Sequence, residues 1–170
     1  MRFRLLILLA VFSALSAGLV QSQSLSLDHV DGLNATGGLE MDAPVTFFIQ
    51  MTGGESTYGG VTNGFRVYSP TGAEWTTTVA DTTGALTASI YENQFIRHFS
   101  ITGSGADTVG LGCWRALNST GLPAGFDDVV FEIQIGPIDQ AYDGGQICLD
   151  SSFYPPSGVW KWAGPDAWPA

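Results

Sequence analysis

Positive charge is what this sequence has least of. Six Lys and Arg stand against sixteen Asp and Glu, a formal net charge of −10. Two of the six, Arg2 and Arg4, lie at the extreme N-terminus. The rest of the chain keeps only Arg66, Arg97, Arg115 and Lys161, and a charge of −12. Such a surface repels phosphate backbones and anionic bilayers, so nucleic acid is excluded as a partner class. Thiols and imidazoles are also scarce, with two Cys and two His. Neither Cys-x-x-Cys nor His-x-x-x-His occurs, which removes the usual zinc-ligand spacings. No Gly-x-Ser-x-Gly elbow is present, and no phosphate-cradling glycine loop stands where a strand–helix unit would need it. Long apolar runs are missing after the first twenty residues, so no later segment reads as a membrane span.

The N-terminus carries the features of a secretory leader. Arg2 and Arg4 precede an uncharged apolar run from Leu5 to Ala14 that continues weakly to Val20. Ala14-Leu15-Ser16 and Val20-Gln21-Ser22 offer small-residue cleavage sites, and the sequence turns polar at Gln21 to Ser24. The run is shorter than the roughly 20 residues that a span requires. Residues 1–22 are therefore expected to be a signal peptide. Residues 23–170 form one domain of 148 residues, enough to bury a core. In an oxidising compartment Cys113 and Cys148 would form one disulfide, or would pair with cysteines of another chain.

The domain reads as strand after strand. Val45–Met51, Gly64–Ser69, Trp75–Val79, Leu86–Tyr91, Phe95–Ile101, Val129–Ile135, Gln146–Leu149 and Val159–Trp162 are apolar runs or alternate with period two. Glycine pairs, Asn63-Gly64 and Ser69-Pro70-Thr71-Gly72 punctuate them as turns. Only Asp107 to Leu117 hints at helical spacing, and it is too rich in glycine for a good helix. This spacing predicts an all-β fold, a single β-sandwich of jelly-roll or immunoglobulin-like type with about 8–9 antiparallel strands. After Trp162 only eight residues remain, two of them proline, so the domain is expected to lack its last strand within this sequence.

Candidate chemistry is sparse. His29 and His98 read as structural or exposed histidines rather than bases. Glu74, Glu92 and Glu132 are the glutamates from which a glycosidase pair could be drawn. Calcium is the one cofactor the loops suggest, since Asp127-Asp128 and the Asp139…Asp143 pair offer hard oxygen ligands. Acidic turns are the alternative reading of these residues. Asn34-Ala35-Thr36 and Asn118-Ser119-Thr120 match the N-glycosylation acceptor pattern. Aromatics crowd the C-terminus: Tyr154, Trp160, Trp162 and Trp168. In a strand Trp160 and Trp162 share a face. The four would form a stacking platform for sugar rings if exposed. Packing of Trp160 and Trp162 into the core is the preferred alternative.

The stretches TNGFRVYSPTGAEW (62–75) and ICLDSSFYPPSGVWKW (147–162) are similar to secreted bacterial proteins of this general build. With the leader, the glycine-rich strands and the acidic surface, the chain resembles the β-sandwich modules of bacterial cell surfaces. Cohesins, the dockerin-binding modules of cellulosomes, are the named family it resembles. That resemblance implies a nine-stranded jelly roll binding another module through one sheet face. No dockerin-like repeat occurs here, so the partner would be another chain. The expected function is a secreted or cell-surface, non-catalytic module for binding or adhesion to an extracellular protein or polysaccharide. The alternative is a small secreted jelly-roll hydrolase acting on polysaccharide. If the leader reading holds, the intact mass of the exported chain will correspond to a start at Gln23, whereas a mass that still includes Met1 would refute it.

Overall fold

The computed structural model describes residues 23–40, 42–84, 95–101, 106–115, 120–152 and 160–164; within these, the side chains of β5 and of Trp160 and Lys161 are not described. The chain is all-β, with two antiparallel sheets. The strands are β1 (Ser24–Asp31), β2 (Val45–Thr52), β3 (Gly60–Tyr68), β4 (Thr78–Thr82), β5 (Phe95–Ile101), β6 (Ala106–Trp114), β7 (Asp127–Ile135), β8 (Cys148–Ser151) and β9 (Trp160–Ala163). The first sheet runs β1-β2-β7-β4, and the second runs β5-β6-β3-β8. β3 shares its outer edge between two short strands: β8 lies beside Phe65–Tyr68 and β9 beside Gly60–Asn63. Among the described residues no helix is long and apolar enough to cross a membrane.

Period-two alternation explains the core. In β2, Val45, Phe47, Ile49 and Met51 are buried while the residues between them are half-buried. In β7, Phe131, Ile133 and Ile135 lie opposite Ile49, Phe47 and Val45, so both strands present these side chains on one face. The second sheet answers with Val61, Phe65 and Val67 of β3 and Val109, Leu111 and Cys113 of β6. Phe65 meets Phe131 edge-on at 6.4 Å between ring centroids, the closest aromatic contact that joins the two sheets among the described residues.

β6 corrects the sequence reading. The segment with weak helical spacing is a strand in the middle of the second sheet, paired with β3 on one side and β5 on the other. Asp107, Val109, Leu111 and Cys113 are buried on the core face. Gly110 and Gly112 between them are buried as well, so from Val109 to Cys113 burial does not alternate, and the glycines carry no side-chain signal from which a period could be read. Trp75 is likewise no strand residue. β4 starts at Thr78, and Trp75 anchors the connection that crosses from β3 in the second sheet to β4 in the first. Its indole Nε1 donates to Asp107 Oδ2 at 2.7 Å and to Thr78 Oγ1 at 3.2 Å. The Thr78 hydroxyl also donates to Asp107 Oδ2. Leu86–Tyr91 lies outside the described residues.

β1 is shaped by a bulge. Leu25 and Leu27 lie opposite Met51 and Ile49, the register then shifts between Leu27 and His29, and Val30 comes to lie opposite Phe47. The extra residue keeps all three aliphatic side chains on the core side of the sheet. The turn after β1 needs Gly32, whose φ is +86° and where a Cβ would run into the carbonyl of Pro44.

Two substitutions test this packing. Phe131→Ala should lower stability by about 3–5 kcal/mol, the cost of an emptied aromatic site. Asp107→Ala leaves the Trp75 and Thr78 donors buried without their acceptor, at about 1–3 kcal/mol for each. Urea unfolding followed by tryptophan fluorescence measures both. An unchanged midpoint for Asp107→Ala would mean that the carboxylate does not tie the connection to β6.

Candidate functional site

The residues singled out from the sequence do not converge. Tyr154 and Trp168 lie outside the described residues. Trp160 is placed opposite Asn63 at the β9–β3 pairing. Trp162 is opposite Val61 and packs against the core. Its ring meets Tyr58 edge-on at 5.3 Å, and its Nε1 donates to Asn63 Oδ1 at 3.3 Å. An inward Trp with its N–H engaged leaves an exposed stacking platform without this member. Asn63 is fully buried, and its Nδ2 has no hydrogen-bond partner among the described residues.

The four aspartates proposed for calcium are split between the two ends of β7. Asp127 opens the strand and accepts from Gln50 Nε2 at 2.9 Å and Thr52 Oγ1 at 3.0 Å. Asp128 Oδ1 accepts from the backbone N–H of Val129. Asp139 and Asp143 follow the other end of the strand and flank the single 3₁₀ turn Gln140–Tyr142. The Asp139 carboxylate accepts from the Ala141 N–H at 2.7 Å, which makes it a cap. Asp143 lines a hollow of about 330 Å³ with Asn34, Leu39, Glu40 and Gln140. The Asn34 carbonyl oxygen already accepts from Thr36 N–H, Thr36 hydroxyl and Gly38 N–H, so it serves its own exposed turn. The four aspartates therefore do not form one oxygen cage. No group of three or more His, Cys, Asp or Glu suited to a metal occurs among the described residues.

The expected Cys113–Cys148 bridge is not formed; both thiols are free. Register gives the reason. Cys113 pairs with Val61 near the start of β3, and Cys148 pairs with Tyr68 at its end. Seven residues of strand separate those two positions, about 23 Å at the strand rise, far beyond the reach of a disulfide.

What the sheets do bring together lies on the outer face of the first sheet. Cross-strand registers align Asp31, Thr46, Gln134 and Val79 in one row, and His29, Phe48, Glu132 and Asp81 in the next. His29 and Phe48 stack with centroids 4.2 Å apart and planes 9° from parallel. The imidazole is held from its other side by Asp28, with Nδ1 to Oδ2 at 2.6 Å. Gln134 Nε2 donates to Thr46 Oγ1, and the Gln50–Thr52–Asp127 cluster continues the polar surface beyond the stack. The result is an apolar slab, edged by amide, hydroxyl and carboxylate groups. Sequence alone did not show it, because His29 and Phe48 become neighbours only through the β1–β2 register set by the bulge.

On the second sheet Arg66 covers the Tyr68 ring at 4.7 Å. Asp150, accepting from the Tyr68 hydroxyl, pushes the phenol above its ordinary range. No family model matches the chain, and no curated protein matches its sequence.

The thiols give a direct check. Burial pushes the Cys113 thiol far above its ordinary range, so little thiolate is available to react. Iodoacetamide at mildly alkaline pH should label the folded chain at Cys148 and leave Cys113 unmodified, with both labelled in denaturant. Intact mass spectrometry reads the count, and a fully unlabelled denatured but unreduced chain would restore the disulfide.

Proposed function

We propose that the chain is a secreted or cell-surface, non-catalytic binding module of β-sandwich, jelly-roll build, cohesin-like in general architecture, that holds polysaccharide on the outer face of its first sheet. The observation that carries this reading is the stacked His29–Phe48 pair set in a sheet face that is otherwise mostly polar, Val79 being its exposed aliphatic residue. Sugar rings have apolar C–H faces and hydroxyl rims, and a small aromatic slab bordered by Gln50, Thr46, Gln134 and Glu132 matches both. The residues come from paired strands rather than loops, so the face is rigid, and a rigid site loses little entropy on binding. The acidic surface sets the ligand charge: at −12 without residues 1–22, the chain repels uronic-acid polymers and accepts neutral ones. Export in an oxidising, ligand-rich space is the matching setting for the leader-like N-terminus.

Affinity electrophoresis in gels containing neutral glucan, xylan or polygalacturonate tests this. Retardation is expected in a neutral polymer and not in polygalacturonate, and Phe48→Ala should weaken it roughly tenfold. Retardation abolished by Trp168→Ala but unaffected by Phe48→Ala would move the site to the C-terminal aromatics. Release of reducing sugar that disappears in Glu132→Gln would replace the binding reading with the hydrolase.

A further inference from the structure

Among the described residues the two sheets close against each other along one lateral side and stand open along the other. β4 lies against β5 on the closed side. On the open side β1 and β8 face each other across a groove of about 320 Å³, walled by Leu25 and Leu27 from β1, Phe47 and Ile49 behind them, and Phe65 and Leu149 from the second sheet. We propose that this groove captures an extended segment of another protein. The segment adds as a strand to the free edge of β1, turns aliphatic side chains at alternate positions into the groove, and carries Lys or Arg between them.

Three observations fix that occupant. First, β1 ends its sheet, and no strand among the described residues pairs with its outer edge. Eight residues of backbone are offered there as a template, and strand addition uses such an edge for affinity. Second, the groove is apolar where a strand added to β1 would project its inward side chains. Leu27 is 50% exposed at its mouth, whereas Ile49 behind it is 2% exposed. Alternate aliphatic residues would complete the burial that the chain leaves unfinished. Third, the outward face of β1 is acidic. Asp28 and Asp31 stand exposed on β1, and Asp31 lies opposite Thr46 on the outer face, toward which the outward side chains of an added strand would project. A second copy of this chain would bring the same excess of acid and be repelled; a strand with Lys or Arg at its outward positions is attracted. The groove opens on the core side of β1, and the His29–Phe48 slab lies on its other face, so this proposal stands independently of the polysaccharide reading.

A synthetic peptide of about eight residues, the length of β1, tests the proposal with the full chain. One version alternates Lys with Val or Leu, a second has the same composition in scrambled order, and a third replaces Lys by Glu. Fluorescence anisotropy is expected to show saturable binding of the alternating basic peptide only. Backbone amide shifts should change in β1 and β8 and not around Phe48. Leu27→Asp, at an exposed position, should weaken binding at least tenfold with an unchanged thermal unfolding midpoint. Asp31→Asn, which leaves the apolar walls intact, should weaken it several-fold and flatten its salt dependence. Equal binding of the scrambled or acidic peptide, no effect of either substitution, or no binding at all would overturn the proposal. So would concentration-dependent dimerisation abolished by Leu27→Asp, which would make a second copy the occupant.

Discussion

The carboxylate of Asp107 is the constraint around which the two sheets are set. A buried acid is costly unless its oxygens are satisfied. Asp107 lies near the start of β6, a strand paired on both sides in the second sheet, with 2% of its surface exposed. The donors that reach it, Trp75 Nε1 and the Thr78 hydroxyl, come from the connection that has just crossed to the first sheet. The same contact therefore satisfies the acid, fixes where β4 begins and places the edge of one sheet over the edge of the other. β4 lying against β5 follows from it. The closed side of the molecule is closed because a polar group there had to be answered.

Among the described residues no such tie occurs on the opposite side. β1 and β8 flank a groove walled mainly by aliphatic and aromatic side chains, which do not fill the space between them. Hydrophobic burial is non-directional, so nothing in it forces two edges together as a hydrogen-bonded carboxylate does. An exposed edge beside an apolar groove invites aggregation. The acidic excess of this chain answers that hazard, since copies repel one another at long range. Charge that reads in composition as a solubility device thus also selects who can reach the open edge, and basic partners are the ones it admits.

Much of the fold was legible because period-two burial is a local signal. β2 alternates so cleanly that its inward face could be read residue by residue, as could Phe65 and Val67 in β3 and Phe131, Ile133 and Ile135 in β7; the first half of β3, where Asn63-Gly64 reads as a turn, and the register shift that buries Val130 rather than Val129 in β7 could not. β6 was not legible, because Gly110 and Gly112 erase one half of its pattern. β1 was obscured for a different reason: its inward residues run Leu25, Leu27, Val30, and the bulge that restores them to one face also breaks the period. The candidate surfaces were the least visible part. His29 and Phe48 are nineteen residues apart, and the groove joins residues from Leu25 to Ser151. Such sites exist only once register is fixed. The sequence drew attention instead to aromatic density near the C-terminus, and density does not tell platform from core.

Trp162 shows how that ambiguity is resolved. Its ring lies edge-on to Tyr58, whose backbone pairs with Leu122 and whose hydroxyl accepts from Gln23 Nε2 and the Gly54 N–H. Gln23 immediately precedes β1, and Trp162 belongs to β9. One tyrosine therefore links the start of the first edge strand to the short strand at the edge of the second sheet. It does so at the end of β3 remote from Asp107, since Trp162 pairs with Val61 and Asp107 with Val67. With one end held by Tyr58 and one side by Asp107, the edge between β1 and β8 is the part of the frame left without a polar clasp among the described residues. The large aromatics near these ties serve to hold the frame, which leaves the His29–Phe48 face and the groove as the surfaces on which the proposed recognition rests.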